Sequence, residues 1–217
     1  MPCRIALSLL LSIAALSAQT PKQPWALTLE ERIALRTHPQ LARERSRGGG
    51  RVTTTAREGA SPVVDAFDGK THPELFLPHQ VYRTLMEHAF IAPESSASVF
   101  RRGVAPDLSL YRLPPDFWER LRIVSADYIR DTGAINAMMV SLRQVHGRAR
   151  SDALNALALK QIESCRSRAE ALAAARREFG SEPFDRFLYE VIAVNMFHVT
   201  EELPRAEDLR KAEGGCR

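Results

Sequence analysis

No stretch of this chain is long and apolar enough to cross a bilayer. The apolar run Ile5 to Leu16 has 12 residues, against the roughly 20 a spanning helix needs, which excludes a multi-pass membrane protein. Cysteine is scarce, at three residues with no C-x-x-C pair, so a thioredoxin-like redox role has no support. Aromatic residues make up only 7%. A glycine-rich phosphate loop is missing, because Gly48 to Gly50 neither follow a strand nor open a helix with Lys-Ser/Thr. G-x-S-x-G and H-E-x-x-H are missing as well, so no catalytic and no cofactor-binding residues assemble. Charge of one sign is also in short supply. The 217 residues carry a net +4, and 26 of the 30 cations are arginine, a mixed-charge surface rather than a nucleic-acid footprint.

What is present begins with export. Arg4 and the amino terminus precede the apolar run, and small residues follow at Ala15, Ser17 and Ala18. Residues 1–18 therefore read as a secretory signal peptide, cleaved after Ser17 or Ala18, which places the mature chain in the periplasm or outside the cell. Cleavage removes Arg4 and no acid, so the formal charge falls from +4 to +3. It also removes Cys3 and leaves the even pair Cys165 and Cys216. In an oxidising compartment the two can close a loop of about 50 residues, which the loop-entropy relation values at roughly 4 kcal/mol. The alternative is a small buried Cys165 and a thiol at a frayed end.

The remaining chain divides into an N-terminal helix and flexible linker (19–62), a helical domain (63–204) and a charged tail (205–217). Thr28-Leu-Glu-Glu31 fits a capping box, starting a helix of about ten residues that stops before Pro39. Ser46 to Pro62 reads as a linker and Val63 to Phe76 as loop, with a turn at Asp68-Gly69. From Pro78 the apolar spacing is helical to Ile91. Asp116 is the expected cap of a long helix reaching about Gly147 and interrupted at Gly133. Ser151 or Asp152 should cap the next, whose apolar stripe is Leu154, Ala158, Ile162, Cys165, Ala169 and Leu172. Gly180 signals its end, and a further helix is expected over 181–199. The expected fold is all-α, a small irregular helical bundle built around a long antiparallel hairpin, with an extended N-terminal segment.

Metal-ligating residue types gather at His72, Glu74, His79 and His88, with Asp65, Asp68 and Glu87 nearby. A metal ion is the one cofactor they could take. Their spacing is poor, since nine residues on a helix turn His79 and His88 to opposite sides. His146 is placed to meet the carbonyls at a helix end, and His198 to be a satisfied, partly buried imidazole. Asn195 falls near an apolar stripe and needs a hydrogen-bond partner. Met138-Met139 reads as core filler.

Leu27 to Arg36, LTLEERIALR, and Val64 to Tyr82, VDAFDGKTHPELFLPHQVY, resemble a group of uncharacterised exported bacterial helical proteins. Those proteins share an LT-x-EER start and a D-G-x(3)-P-E-x(3)-P segment leading into a helix. The matching residues are Asp68, Gly69, Pro73, Glu74 and Pro78. The resemblance covers about a quarter of the chain and implies an exported helical protein with no stated activity. A weaker likeness is to Spy/CpxP-like periplasmic chaperones through Leu27-Thr28, with Arg32 about where their LT-x-x-Q phrase has glutamine. The expected function is that of an exported, non-enzymatic binding or structural protein with a protein or cell-envelope partner. The alternatives are a periplasmic chaperone or stress factor, and a metal sensor or metal-dependent enzyme using His72 to His88. Intact mass spectrometry of the exported protein tests the processing: the chain should begin at Ala18 or Gln19, and reduction should add two hydrogens. An intact leader would refute export.

Overall fold

The computed structural model describes residues 22–37, 65–94, 106–200 and 204–214. Helix α1 is Leu29–Thr37, strand β1 Asp65–Asp68 and helix α2 Pro78–Met86, which widens into a π turn over Glu87–Ile91. Helices α3 (Phe117–Val124) and α4 (Ala126–Ser141) lead into the 33-residue α5 (Gly147–Phe179). Helix α6 (Ser181–Phe187) also ends in a π turn, Leu188–Ile192. Strand β2 (Phe197–Thr200) and helix α7 (Ala206–Gly214) complete the described order. The architecture is all-α as expected, with α4 and α5 forming the long hairpin and one two-stranded sheet attached.

Local chemistry accounts for most boundaries. Thr28 and Glu31 form the capping box: the Thr28 amide donates to Glu31 Oε2 at 2.8 Å and the Glu31 amide to Thr28 Oγ1 at 3.2 Å. Pro78 opens α2, where a missing amide costs nothing, and the Leu77 amide donates to Gln80 Oε1 at 3.1 Å. Gly180, at φ 83°, ends α5 in a conformation that a side chain would strain.

Five of the described aromatics form one cluster. Phe117 lies 4.8 Å from Phe179 and 5.2 Å from Phe187 between ring centroids, with Phe184 and Trp118 against the same cluster. This packs α3, the end of α5 and the start of α6 together, and each such pair adds about 0.5–1.5 kcal/mol beyond its buried area. Helix α2 crosses this core with Val81, Tyr82, Leu85 and Met86 fully buried, and the π turn 188–192 lies against it.

Five expectations are corrected. The break in the third long helix falls at Ser125 rather than Gly133, because Ser125 is buried and its hydroxyl meets the Tyr82 hydroxyl at 2.6 Å. Gly133 stays helical and exposed, and nothing lies where a side chain would go. Asp116 makes no side-chain cap bond, and α5 starts at Gly147, ahead of Ser151 and Asp152. The segment 181–199 is helical only to Asn195; it then pairs antiparallel with residues read as loop, Phe67 opposite His198 and Asp68 opposite Phe197. Gly69 permits this connection, since a Cβ there would sit 1.7 Å from the Ala193 carbonyl oxygen, and its amide donates to the Met196 carbonyl at 3.0 Å. Finally, the tail is not all fraying charge: α7 buries Leu209 against Ile33 and Leu77. The linker 46–62 and the leader 1–18 lie outside the described residues.

Helix α7 is a short, mostly charged helix held by one apolar anchor, so Leu209→Ala should lower the unfolding free energy by about 2–5 kcal/mol. Denaturant unfolding measures this; a change under about 0.5 kcal/mol would mean the tail does not dock.

Candidate functional site

The two sequence phrases that stand out by resemblance meet in space. Arg32 of the first is 1% exposed, and its Nη1 donates to the Glu74 carbonyl of the second at 2.8 Å. Its Nη2 donates to the Pro24 carbonyl, and its guanidinium lies 4.1 Å over the Tyr189 ring. Tyr189 in turn donates its hydroxyl to the Phe76 carbonyl at 2.8 Å. Burial holds the Arg32 pKa below the usual arginine range, and its Nε has no partner among the described residues. One turn on, buried Arg36 meets His198 Nε2 at 2.7 Å and lies over Phe67 at 5.1 Å. These arginines tie α1 to the rest of the fold with carbonyls and rings as their partners, a structural seat without a reacting group.

The metal-type residues do not share one point. His72 Nδ1 lies 3.1 Å from Glu74 Oε1 on an accessible turn. His79 Nδ1 meets Glu213 Oε2 of α7. His88 lines a different cavity, and burial lowers its pKa from the usual imidazole value. Among the described residues, no three His, Cys, Asp or Glu side chains gather where an ion would sit. His198 is the satisfied, half-buried imidazole expected, through Arg36 and a 4.8 Å ring contact with Phe67. His146 precedes α5 and is exposed; Arg150 takes the role expected of it, donating to the Leu142 and Val145 carbonyls at 3.1 and 3.4 Å. Asn195 is exposed, and its amide donates to the Val191 carbonyl at 2.8 Å.

Two open features remain. The first is a groove between α2 with its π turn and the hairpin, made of three cavities that share residues. The largest is 560 Å³ and runs from Arg83 and His88 past Ile91 to Tyr128, Asn136 and Gln161. A 340 Å³ cavity lies beside Met196 and His198, and a 150 Å³ cavity between His79, Glu213 and Cys165. Arg168 lines all three. Sequence reasoning missed it, since nothing marks it among 26 arginines.

The second feature is the far half of the hairpin. Between Thr132 and Glu163, only Leu142 and Leu157 are buried. Met139 is 50% exposed, Val140 61%, Leu154 46% and Leu159 65%. Met138 is half-buried, so Met138-Met139 is not core filler. The expected stripe of α5 is buried at Leu172 but open at Leu154, Ala158 and Ala169. The hairpin is cross-linked at its base by polar contacts: Lys160 Nζ donates to buried Asp131 at 3.0 Å, and Thr132 and Ser164 hydroxyls lie 3.3 Å apart. Burial raises the Asp131 pKa, but Lys160, Ser167 and Arg130 outweigh it, for a net value below the usual carboxylate range.

Compared with family models, curated proteins and solved structures, the chain has no match in any of the three.

The capping box carries a pH signature. Hydrogen bonds from Lys22 and Thr28 lower the Glu31 pKa from 4.5 to about 2. A depressed carboxylate stabilises the fold above its unfolded pKa, and the contribution is lost as pH falls from about 4.5 through 2. Thermal unfolding of the protein and its Glu31→Gln variant should therefore differ at pH 6 and converge near pH 2; a gap independent of pH would show that the Glu31 charge plays no part.

Proposed function

We propose that this is an exported, non-enzymatic binding protein whose projecting hairpin arm holds a protein partner in the cell envelope. The observation that carries this reading is the exposure of four large apolar side chains, Met139, Val140, Leu154 and Leu159, on one arm. Charge states the partner's chemistry. From Thr132 to Glu163 the arm carries Arg143, Arg148, Arg150 and Lys160 against Asp152 and Glu163, a net positive balance. A second copy would bring like charge to like charge, so the partner is an apolar segment fringed by carboxylates. The described helices lack a span long and apolar enough to cross a membrane, which accords with a partner reached from outside the bilayer. We further propose that Cys165 pairs with Cys216. In support, Cys165 and Glu213, three residues before Cys216, line the same 150 Å³ cavity.

A chaperone is the second reading, favoured by the same open side chains, which would hold unfolded clients. Two probes separate the readings. A synthetic amphipathic helix with a leucine stripe flanked by glutamates should bind at micromolar concentration in fluorescence anisotropy. Its lysine-flanked twin should bind at least tenfold more weakly, and the Met139→Ser, Val140→Ser, Leu154→Ser, Leu159→Ser variant should lose the interaction. Slower aggregation of reduced, unfolded α-lactalbumin would favour the chaperone. Failure of both probes to engage the arm would end the binding reading.

A further inference from the structure

Arg168 sits where the three cavities meet, on the wall of α5 that faces α2. The other arginines and carboxylates lining those cavities have partners. Arg83 Nε donates to Glu87 Oε1 at 2.8 Å, Arg176 Nε to Asp185 Oδ1 at 2.9 Å, and Glu213 meets His79. Arg168 does not: among the described residues its hydrogen bond goes to Cys165 Sγ at 3.6 Å, a weak acceptor. Its side chain is half-buried. Asn136, Gln161 and Tyr128 line the same 560 Å³ cavity, with Ile91 and Ile135 beside them. The acid that reaches this space, Glu87, is already held by Arg83.

We propose that this groove is a binding site for an oxyanion, a carboxylate or phosphate group, received by the Arg168 fork. A guanidinium offers two parallel N–H donors that match either group, and Asn136 of α4 and Gln161 of α5 bring neutral amide donors to the same cavity. The ligand's uncharged part would lie over Ile91 and Ile135. The site stands apart from the arm's partner: it uses none of the four exposed apolar residues, and either proposal can fail alone.

The test uses the full mature protein in low-salt buffer, where screening is least. Inorganic phosphate and acetate are titrated by calorimetry, with the Arg168 Nε–H resonance followed by NMR. Vesicles of phosphatidylcholine with and without phosphatidylglycerol are then compared by sedimentation. A free oxyanion ligand gives saturable phosphate or acetate binding that shifts the Arg168 resonance and weakens at least tenfold in Arg168→Gln. A lipid headgroup gives phosphatidylglycerol-dependent sedimentation lost in the same variant. Arg168→Lys keeps the charge without the fork and should bind with intermediate strength, while exposed Arg166→Gln should bind normally. Binding to neither phosphate, acetate nor vesicles overturns the proposal, and so does binding that Arg166→Gln reduces as much as Arg168→Gln. Should Arg168→Gln fail to fold, the Arg168 resonance of the unaltered protein decides: no movement on adding either anion or the vesicles overturns the site.

Discussion

A guanidinium taken out of water with no carboxylate hydrogen-bonded to it, only the more distant charges of Asp185, Glu213 and Glu74, is the constraint on which this fold turns. Arg32 has two backbone carbonyls and the face of Tyr189 as its partners. Burying a charge costs several kcal/mol, and carbonyls with a ring offset that cost only where each is held in position. The surroundings are accordingly over-determined. The short turn at Pro73–Leu75 holds the Glu74 carbonyl, the Tyr189 hydroxyl is anchored to Phe76, and the capping box sets where α1 begins. Asp68-Gly69, Pro73 and Pro78 then read as one device. The glycine lets the chain pass against Ala193, and the prolines bracket the carbonyl that Arg32 needs.

The hairpin obeys a different logic. Its seam is lined by small polar groups, Asp131, Thr132, Ser164 and Ser167, rather than by interlocking leucines. A polar seam sets the pairing of two helices through directed bonds but buries little apolar surface. In the far half only Leu142 and Leu157 are buried, and Met139, Val140, Leu154 and Leu159 lie outside the seam. The cost is an exposed apolar surface, and the arginine-rich turn around Arg143 to Arg150 keeps it hydrated.

Sequence reasoning reached the elements whose cause is local. The Thr28–Glu31 box, the proline at the start of α2 and the glycine after Phe179 each act over one turn, and each boundary follows. It failed where the cause is distant. Ser125 breaks a helix because Tyr82, 43 residues away, reaches its hydroxyl. Residues 197–200 are apolar enough to continue a helix, yet they become a strand because residues 65–68 offer an unpaired edge. Leu209 is a lone apolar residue in a charged run, so no period announces that it fills a gap beside Ile33 and Leu77. The histidines show the same limit. Their types suit a metal while their spacing is poor, and His72 and His79 meet separate carboxylates 2 and 134 residues away.

Lengths explain why groove and arm occur together. At 1.5 Å per residue, the 33 residues of α5 span about 50 Å, whereas α2 and its π turn, 14 residues in all, cover only about 21 Å. One crossing element cannot cover such a hairpin. Where α2 lies close to α5 but cannot fill the angle between them, the groove forms and Arg168 lines it. Toward the far end of the stripe Leu154 is left open. The same stripe thus runs from buried Leu172, past Cys165 in the groove, to the exposed arm, and its three environments follow from one difference in helix length.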